Sequence, residues 1–210
     1  MNDWQQHSFT SVDLLRHGDC QGGEIFRGST DVELSDLGWQ QMQAAVSDRE
    51  WDQIVSSPLK RCRLFAEKLS EDHAIPISID ERWQEFNFGV WEGRPRADVW
   101  KENAEDVASF FSDPETFTPA GGDSYLSVCN RVQAAWDDVL AKHTNKRVLV
   151  ITHGGIFRTL HAQLKSLPSQ AFNSIEVPYA CLSRWKHYGD RLRARPLLSF
   201  HNYPTAHSDR

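Results

Sequence analysis

The sequence predicts an α/β protein: a three-layer, doubly wound, mostly parallel sheet with helices on both faces. Two observations carry this. Short, branched apolar runs alternate with amphipathic stretches, and that alternation implies crossover connections between parallel strands. Among the runs, Arg147-Val148-Leu149-Val150-Ile151-Thr152 is the clearest buried strand in the chain.

In chain order, residues 11–17 read as the first strand. Ser35 is placed to cap a helix through Leu37, Met42 and Val46 to about Arg49, slightly weakened by Gly38. Residues 52–57 form a second strand, and Pro58 suits the first turn of a helix carrying Leu59, Cys62, Leu64, Phe65 and Leu69. Ile75 to Ile79 is a third short strand that Pro76 keeps from the sheet centre. The segment from Asp80 to Gly122 is irregular, with two short helices near 97–103 and 106–111. It is too long for a simple connection, and such segments usually carry function. A long amphipathic helix starts at Asp123 with Leu126, Val128, Val132, Ala135, Trp136, Val139 and Leu140 on its apolar positions. After the 147–152 strand a helix runs to about Lys165, and strands near 181–188 and 194–200 close the chain. One domain is expected over residues 1–203, with a loose tail at 204–210.

The chain has 210 residues, enough for one core that buries roughly 70% of the unfolded surface. A net charge of −6 argues against nucleic-acid and membrane partners, so an anionic ligand needs a local cluster of cations. Residues 184–195 are basic and read as a solvated edge. The polar N-terminus lacks an apolar signal segment, and no stretch of about 18 apolar residues occurs. Cys20, Cys62, Cys129 and Cys181 form no paired motif, which fits reduced thiols in the cytoplasm.

Two strands end alike, in Arg16-His17-Gly18 and in His153-Gly154-Gly155. In a parallel sheet both open on the carboxyl edge, where such sheets place ligands. Gly18 is expected to let the backbone turn sharply. An arginine beside a histidine suits a phosphate. Lys60 and Arg61 follow a third strand end in a first helical turn, where free N–H groups also favour anions. The segment Glu81 to Gly93 sets three acids among four aromatics, which suits a general acid. Residue chemistry alone leaves Glu81, Glu85 and Glu92 as alternatives.

Leu14-Leu15-Arg16-His17-Gly18, Ser56-Ser57-Pro58-Leu59-Lys60-Arg61-Cys62, Glu85 to Gly93, and Val150-Ile151-Thr152-His153-Gly154-Gly155 resemble the four ordered motifs of the histidine phosphatase superfamily, in its phosphoglycerate-mutase-like branch. The resemblance implies that His17 is the nucleophile that forms a phosphohistidine. It implies that Arg16, Arg61 and His153 bind the phosphoryl oxygens and that Glu85 is the proton donor. Gly154, Gln21, Arg27, Gly28 and Ser29 follow as further phosphate or substrate contacts, with Glu81 and Glu92 left structural. No metal and no cofactor is implied, the substrate is a small phosphorylated metabolite, and a monomer or homodimer is expected.

Many members continue after the first motif with Glu-Thr or Glu-Ser and a later Asn. Here Asp19-Cys20-Gln21-Gly22-Gly23-Glu24 stands instead, so the substrate-facing loop is built differently, with Cys20 a small filler. The run Gly22 to Asp31 is most similar to α-ribazole-5′-phosphate phosphatases of cobalamin assembly. Phosphoglycerate mutase, a broad-specificity sugar-phosphate phosphatase and a non-catalytic phosphate sensor are the alternatives.

Overall fold

The computed structural model describes residues 9–189 and 196–201. Its strands are β1 (Thr10–Arg16), β2 (Gln53–Ser56), β3 (Ile77–Ile79), β4 (Arg147–Thr152), β5 (Leu182–His187) and β6 (Leu197–Phe200). The helices are α1 (Asp36–Val46), α2 (Lys60–His73), α3 (Arg96–Glu102), α4 (Ala104–Ser112), α5 (Tyr125–Lys142) and α6 (Gly154–Lys165). The sheet order is β3-β2-β4-β1-β5-β6. The first four strands in that order are parallel, whereas β5 and β6 pair antiparallel. β3 lies on the edge, as Pro76 requires.

β4 explains the two-faced architecture. Val148 and Val150 enter one core cluster with Val132, Trp136, Phe157 and Leu160 of α5 and α6. Leu149 and Ile151 enter the other, with Met42, Ala45, Phe65 and Leu69 of α1 and α2. Period-2 alternation therefore feeds two cores, and the unbroken apolar run from Val148 to Ile151 satisfies both. β1 departs from that pattern at buried Asp13, whose charge is met by Trp51 Nε1 at 2.9 Å and by two bonds of 2.7 Å from Arg184. Arg184 of the basic stretch is thus an internal ion-pair partner. Arg191, Arg193, Arg195 and the expected tail at 204–210 lie outside the described residues.

Local chemistry adjusts three helix starts and ends. Ser35 caps α1 by accepting from Gly38 N at 3.1 Å, but the helix stops at Val46, before Asp48 with its positive φ. α2 begins at Lys60, so Pro58 precedes it. α5 begins after Ser124, whose hydroxyl accepts from Ser127 N. Asp123 stays outside that helix because its carboxylate accepts from Asn87 N at 3.0 Å. The irregular middle segment carries α3 and α4 close to where the sequence placed them. No described helix is long and apolar enough to cross a membrane.

Candidate active site

β1 and β4 are adjacent and parallel, with Arg16 opposite Thr152. His17 and His153 are the next residues, and their ring centroids lie 5.3 Å apart. The backbone locks this edge, since His17 N donates to Thr152 O at 2.9 Å. Gly18 is not in the left-handed region. A Cβ there would sit 2.3 Å from Gly38 O, so the glycine serves close approach of α1 instead of the expected sharp turn. Gly38 is the reciprocal half, for its own Cβ would meet Asp19 O at 2.0 Å. Its helix-propensity cost of about 1 kcal/mol is the consequence.

The His17 tautomer follows from one contact. Nδ1 lies 2.8 Å from Gly18 O, a carbonyl that can only accept, so Nδ1 carries the hydrogen and Nε2 the lone pair. Burial, then Arg61 and Arg16, hold this imidazole well below its ordinary pKa. Cys20 Sγ lies 3.4 Å from the same Nδ1, and burial pushes its thiol pKa up. It fills space as an uncharged thiol.

His153 is arranged differently. Arg61 Nε donates to its Nδ1 at 3.1 Å, so Nε2 carries the hydrogen and donates to Ser57 Oγ at 2.7 Å. Burial first, then Arg61, also keeps this ring neutral. Arg61 is fully buried, and its terminal nitrogens donate to Thr30 O at 2.8 Å and Gly28 O at 2.6 Å. The start of α2 is not an open anion site, because Lys60 N donates to Asp31 Oδ1 at 2.7 Å.

The three acids separate cleanly. Glu81 is exposed in a short 3₁₀ turn. Glu92 organises a loop by accepting from the backbone N–H groups of Gly28, Ser29, Thr30 and Phe88. Glu85 is buried, and its carboxylate accepts from Gly155 N at 2.9 Å at the start of α6. Gly155 must lack a side chain, since a Cβ would come within 2.4 Å of Glu85 Oε1. From α5, Arg131 clamps the acid's segment by donating to Arg82 O and Gln84 O at 2.7 Å and Glu85 O at 3.2 Å.

Arg16, His17, Arg27, Glu85 and Gly154 line one cavity of about 120 Å³. Arg16 Nε is buried without a hydrogen-bond partner among the described residues, and its guanidinium lies 4.3 Å from the Tyr179 ring. Arg61 and His153 stand behind the cavity wall and do not line it. Gln21 is exposed and donates to Leu34 O, while Gly28 and Ser29 are tied to Glu92, so these three stand off the cavity. Sequence reading missed Arg96, Arg158 and Tyr179, which do line it, together with Phe110 and Phe172. One signal was present for Arg158: it lies four residues after Gly154 and therefore on the same helical face.

The family model of the histidine phosphatase superfamily (branch 1) matches residues 12–197. The chain belongs to that superfamily. It is 29% identical to phosphoserine phosphatase 1 of Hydrogenobacter thermophilus over 175 residues, covering 81% of this chain and 83% of that protein. It is 26% identical to the adenosylcobalamin/alpha-ribazole phosphatase of Escherichia coli, covering 81% and 86%. The mycobacterial glucosyl-3-phosphoglycerate phosphatase solved with VO3 superposes with a TM-score of 0.83 at 26% identity, covering 92% of this chain and 99% of that one. As a histidine phosphatase among phosphatases, the chain is a phosphoric monoester hydrolase.

Proposed function

We propose that this histidine phosphatase works through a phosphohistidine on His17 Nε2, with Glu85 as the proton donor. The observation that carries the reading is the Nδ1 hydrogen bond to Gly18 O at 2.8 Å, which leaves the lone pair on Nε2 of an imidazole lining the cavity. In the first step Nε2 attacks phosphorus, the ester P–O bond breaks, and Glu85 protonates the departing alcohol oxygen. In the second, Glu85 takes a proton from water, whose oxygen attacks phosphorus and breaks the P–N bond. Inorganic phosphate leaves and the neutral imidazole is restored. Arg16 and Arg27 cover the charge on the non-bridging oxygens from the cavity wall. Arg61 assists from behind, as each of its terminal nitrogens keeps a second N–H beyond the one already bonded. His153, neutral and held by Arg61 and Ser57, backs the phosphoryl site. The phosphatase relatives favour water over a second hydroxyl as the acceptor.

Two substrate classes compete. The loop from Gly22 to Asp31 favours α-ribazole 5′-phosphate, and the Phe110 and Phe172 walls suit its planar base. Arg96 and Arg158 favour a phosphorylated carboxylic acid. The four free, buried cysteines support a reducing, cytoplasmic compartment.

Intact-protein mass spectrometry on enzyme quenched during turnover tests the mechanism. A phosphoryl adduct that survives base, is lost in acid and is absent from His17→Ala is expected. Steady phosphate release from an ester without any such adduct rejects the covalent route.

A further inference from the structure

Arg158 stands one turn into α6, beside the groups that hold the proton donor. A Cβ on Gly154 would lie 3.3 Å from Arg16 Cζ and 3.4 Å from Arg158 Nη1, so both guanidinium groups crowd the start of this helix. The next residue, Gly155, binds Glu85. Among the described residues Arg158 spends only Nε–H, on Ile175 O at 3.0 Å. Among the described residues no carboxylate pairs with Arg158 or with Arg96 across the cavity. Aromatic rings flank both: Arg158 Cζ lies 5.9 Å from the Phe172 centroid and Arg96 Cζ 5.9 Å from that of Phe26.

The charge balance is uneven. Arg16, Arg27, Arg96 and Arg158 face the cavity against Glu85 alone. A phosphate dianion offsets only two of these four positive charges. Two remain, and they are not equivalent to the rest. Arg16, Arg27 and Arg61 act on His17, whereas Arg158 is coupled to Arg16, Glu85 and Arg96. In an in-line displacement the ester oxygen leaves on the side away from His17, where Glu85 must reach it. Arg158 borders Arg16 at the start of α6 and Arg96 lines the same cavity, so both are within reach of an anion carried on the leaving group. Arg158 is not a casually solvated arginine, because burial works against its charge.

We infer that Arg158 and Arg96 form an anion subsite for the leaving group, so that the substrate is a phosphomonoester carrying a carboxylate. This rests on the phosphatase reading of the cavity. A carboxylate matches the planar fork of a guanidinium. α-Ribazole 5′-phosphate has no second anion, so the subsite separates the two substrate classes.

The test uses 3-phosphoglycerate and glycerol 3-phosphate, which differ only in carboxylate against hydroxymethyl, with glycerol 1,3-bisphosphate as a third probe. Wild-type kcat/KM should favour 3-phosphoglycerate over glycerol 3-phosphate. Arg158→Gln and the exposed Arg96→Gln should each lower it by about 10- to 100-fold on 3-phosphoglycerate and by less than about threefold on glycerol 3-phosphate. Equal losses on both esters, or no wild-type preference, overturn the subsite. Preference for the bisphosphate overturns the carboxylate assignment. Absent turnover of p-nitrophenyl phosphate would instead fail the phosphatase reading. Calorimetric binding of the same probes to His17→Ala, which needs no turnover, then decides the subsite by whether the carboxylate tightens binding.

Discussion

His17 and His153 look alike in sequence, each following a buried strand and each preceding glycine, yet the fold gives them opposite surroundings. His17 lines the cavity and spends one nitrogen on Gly18 O. His153 sits behind the wall with both nitrogens engaged, one accepting from Arg61 and the other donating to Ser57. Neutrality is common to both and comes first from burial, with Arg61 adding to it. The difference is one of hydrogen bonding. An imidazole with a spare lone pair can attack phosphorus, while one with both nitrogens committed can only hold its neighbours in place.

The comparison is broken most directly at His17. His17→Ala should reduce phosphate release from p-nitrophenyl phosphate by about 10⁴-fold or more with an unchanged circular dichroism spectrum. Comparable residual activity would move the nucleophile elsewhere. Glu85→Gln should cost about 10²- to 10⁴-fold on alkyl phosphates and far less on aryl phosphates, whose phenolate leaves without a proton. A loss independent of the leaving group would assign the acid to another residue. His153→Gln should cost about 10²- to 10³-fold, less than His17→Ala, because it removes support for Arg61 and not the attacking atom. Equal losses at the two histidines would erase the distinction drawn between them.

Stability adds a pH-dependent test. The ordinary imidazole pKa is 6.5, and both folded-state values lie well below it. As pH falls through 6.5 the unfolded chain takes up protons that the folded chain refuses, so stability declines with acid. The contribution is fully present above 6.5 and is lost as pH drops toward the folded values. Each histidine adds a slope of about 1.4 kcal/mol per pH unit across that window. His153→Gln should flatten the acid-side dependence of the urea midpoint by one such increment, and an unchanged slope would mean that His153 titrates normally. The smallest effect belongs to Gln21→Ala. Its carboxamide faces Leu34 O outside the cavity, so kcat/KM should stay within about twofold. A larger loss would bring the loop from Asp19 to Glu24 back to the substrate.

Much of the sheet was legible because β4 is buried on both faces and therefore apolar from Val148 to Ile151, and β3 announced its edge position through Pro76. The geometry also separates the three acids, for Glu85 alone reaches the cavity while Glu92 binds a loop. The packing role of Gly18 and Gly38 was not legible because the sequence records only that a side chain is missing. What fills that space, each other's backbone, is a long-range contact. Arg158 and Tyr179 carried no motif, and their place depends on how α6 and the segment before β5 close over the carboxyl edge. Asp123, Lys60 and Gln21 were redirected by partners distant in sequence: Asn87, Asp31 and Leu34.

By itself the sequence determined the alternation of strands and helices, the family and the presence of two strand-end histidines, because each is written in local pattern and in short motifs. The tertiary structure alone decided which histidine keeps a free lone pair, which acid shares its cavity and which arginines in that cavity lack a carboxylate partner among the described residues. Those depend on hydrogen bonds and charges that converge from distant parts of the chain, and local pattern does not encode them.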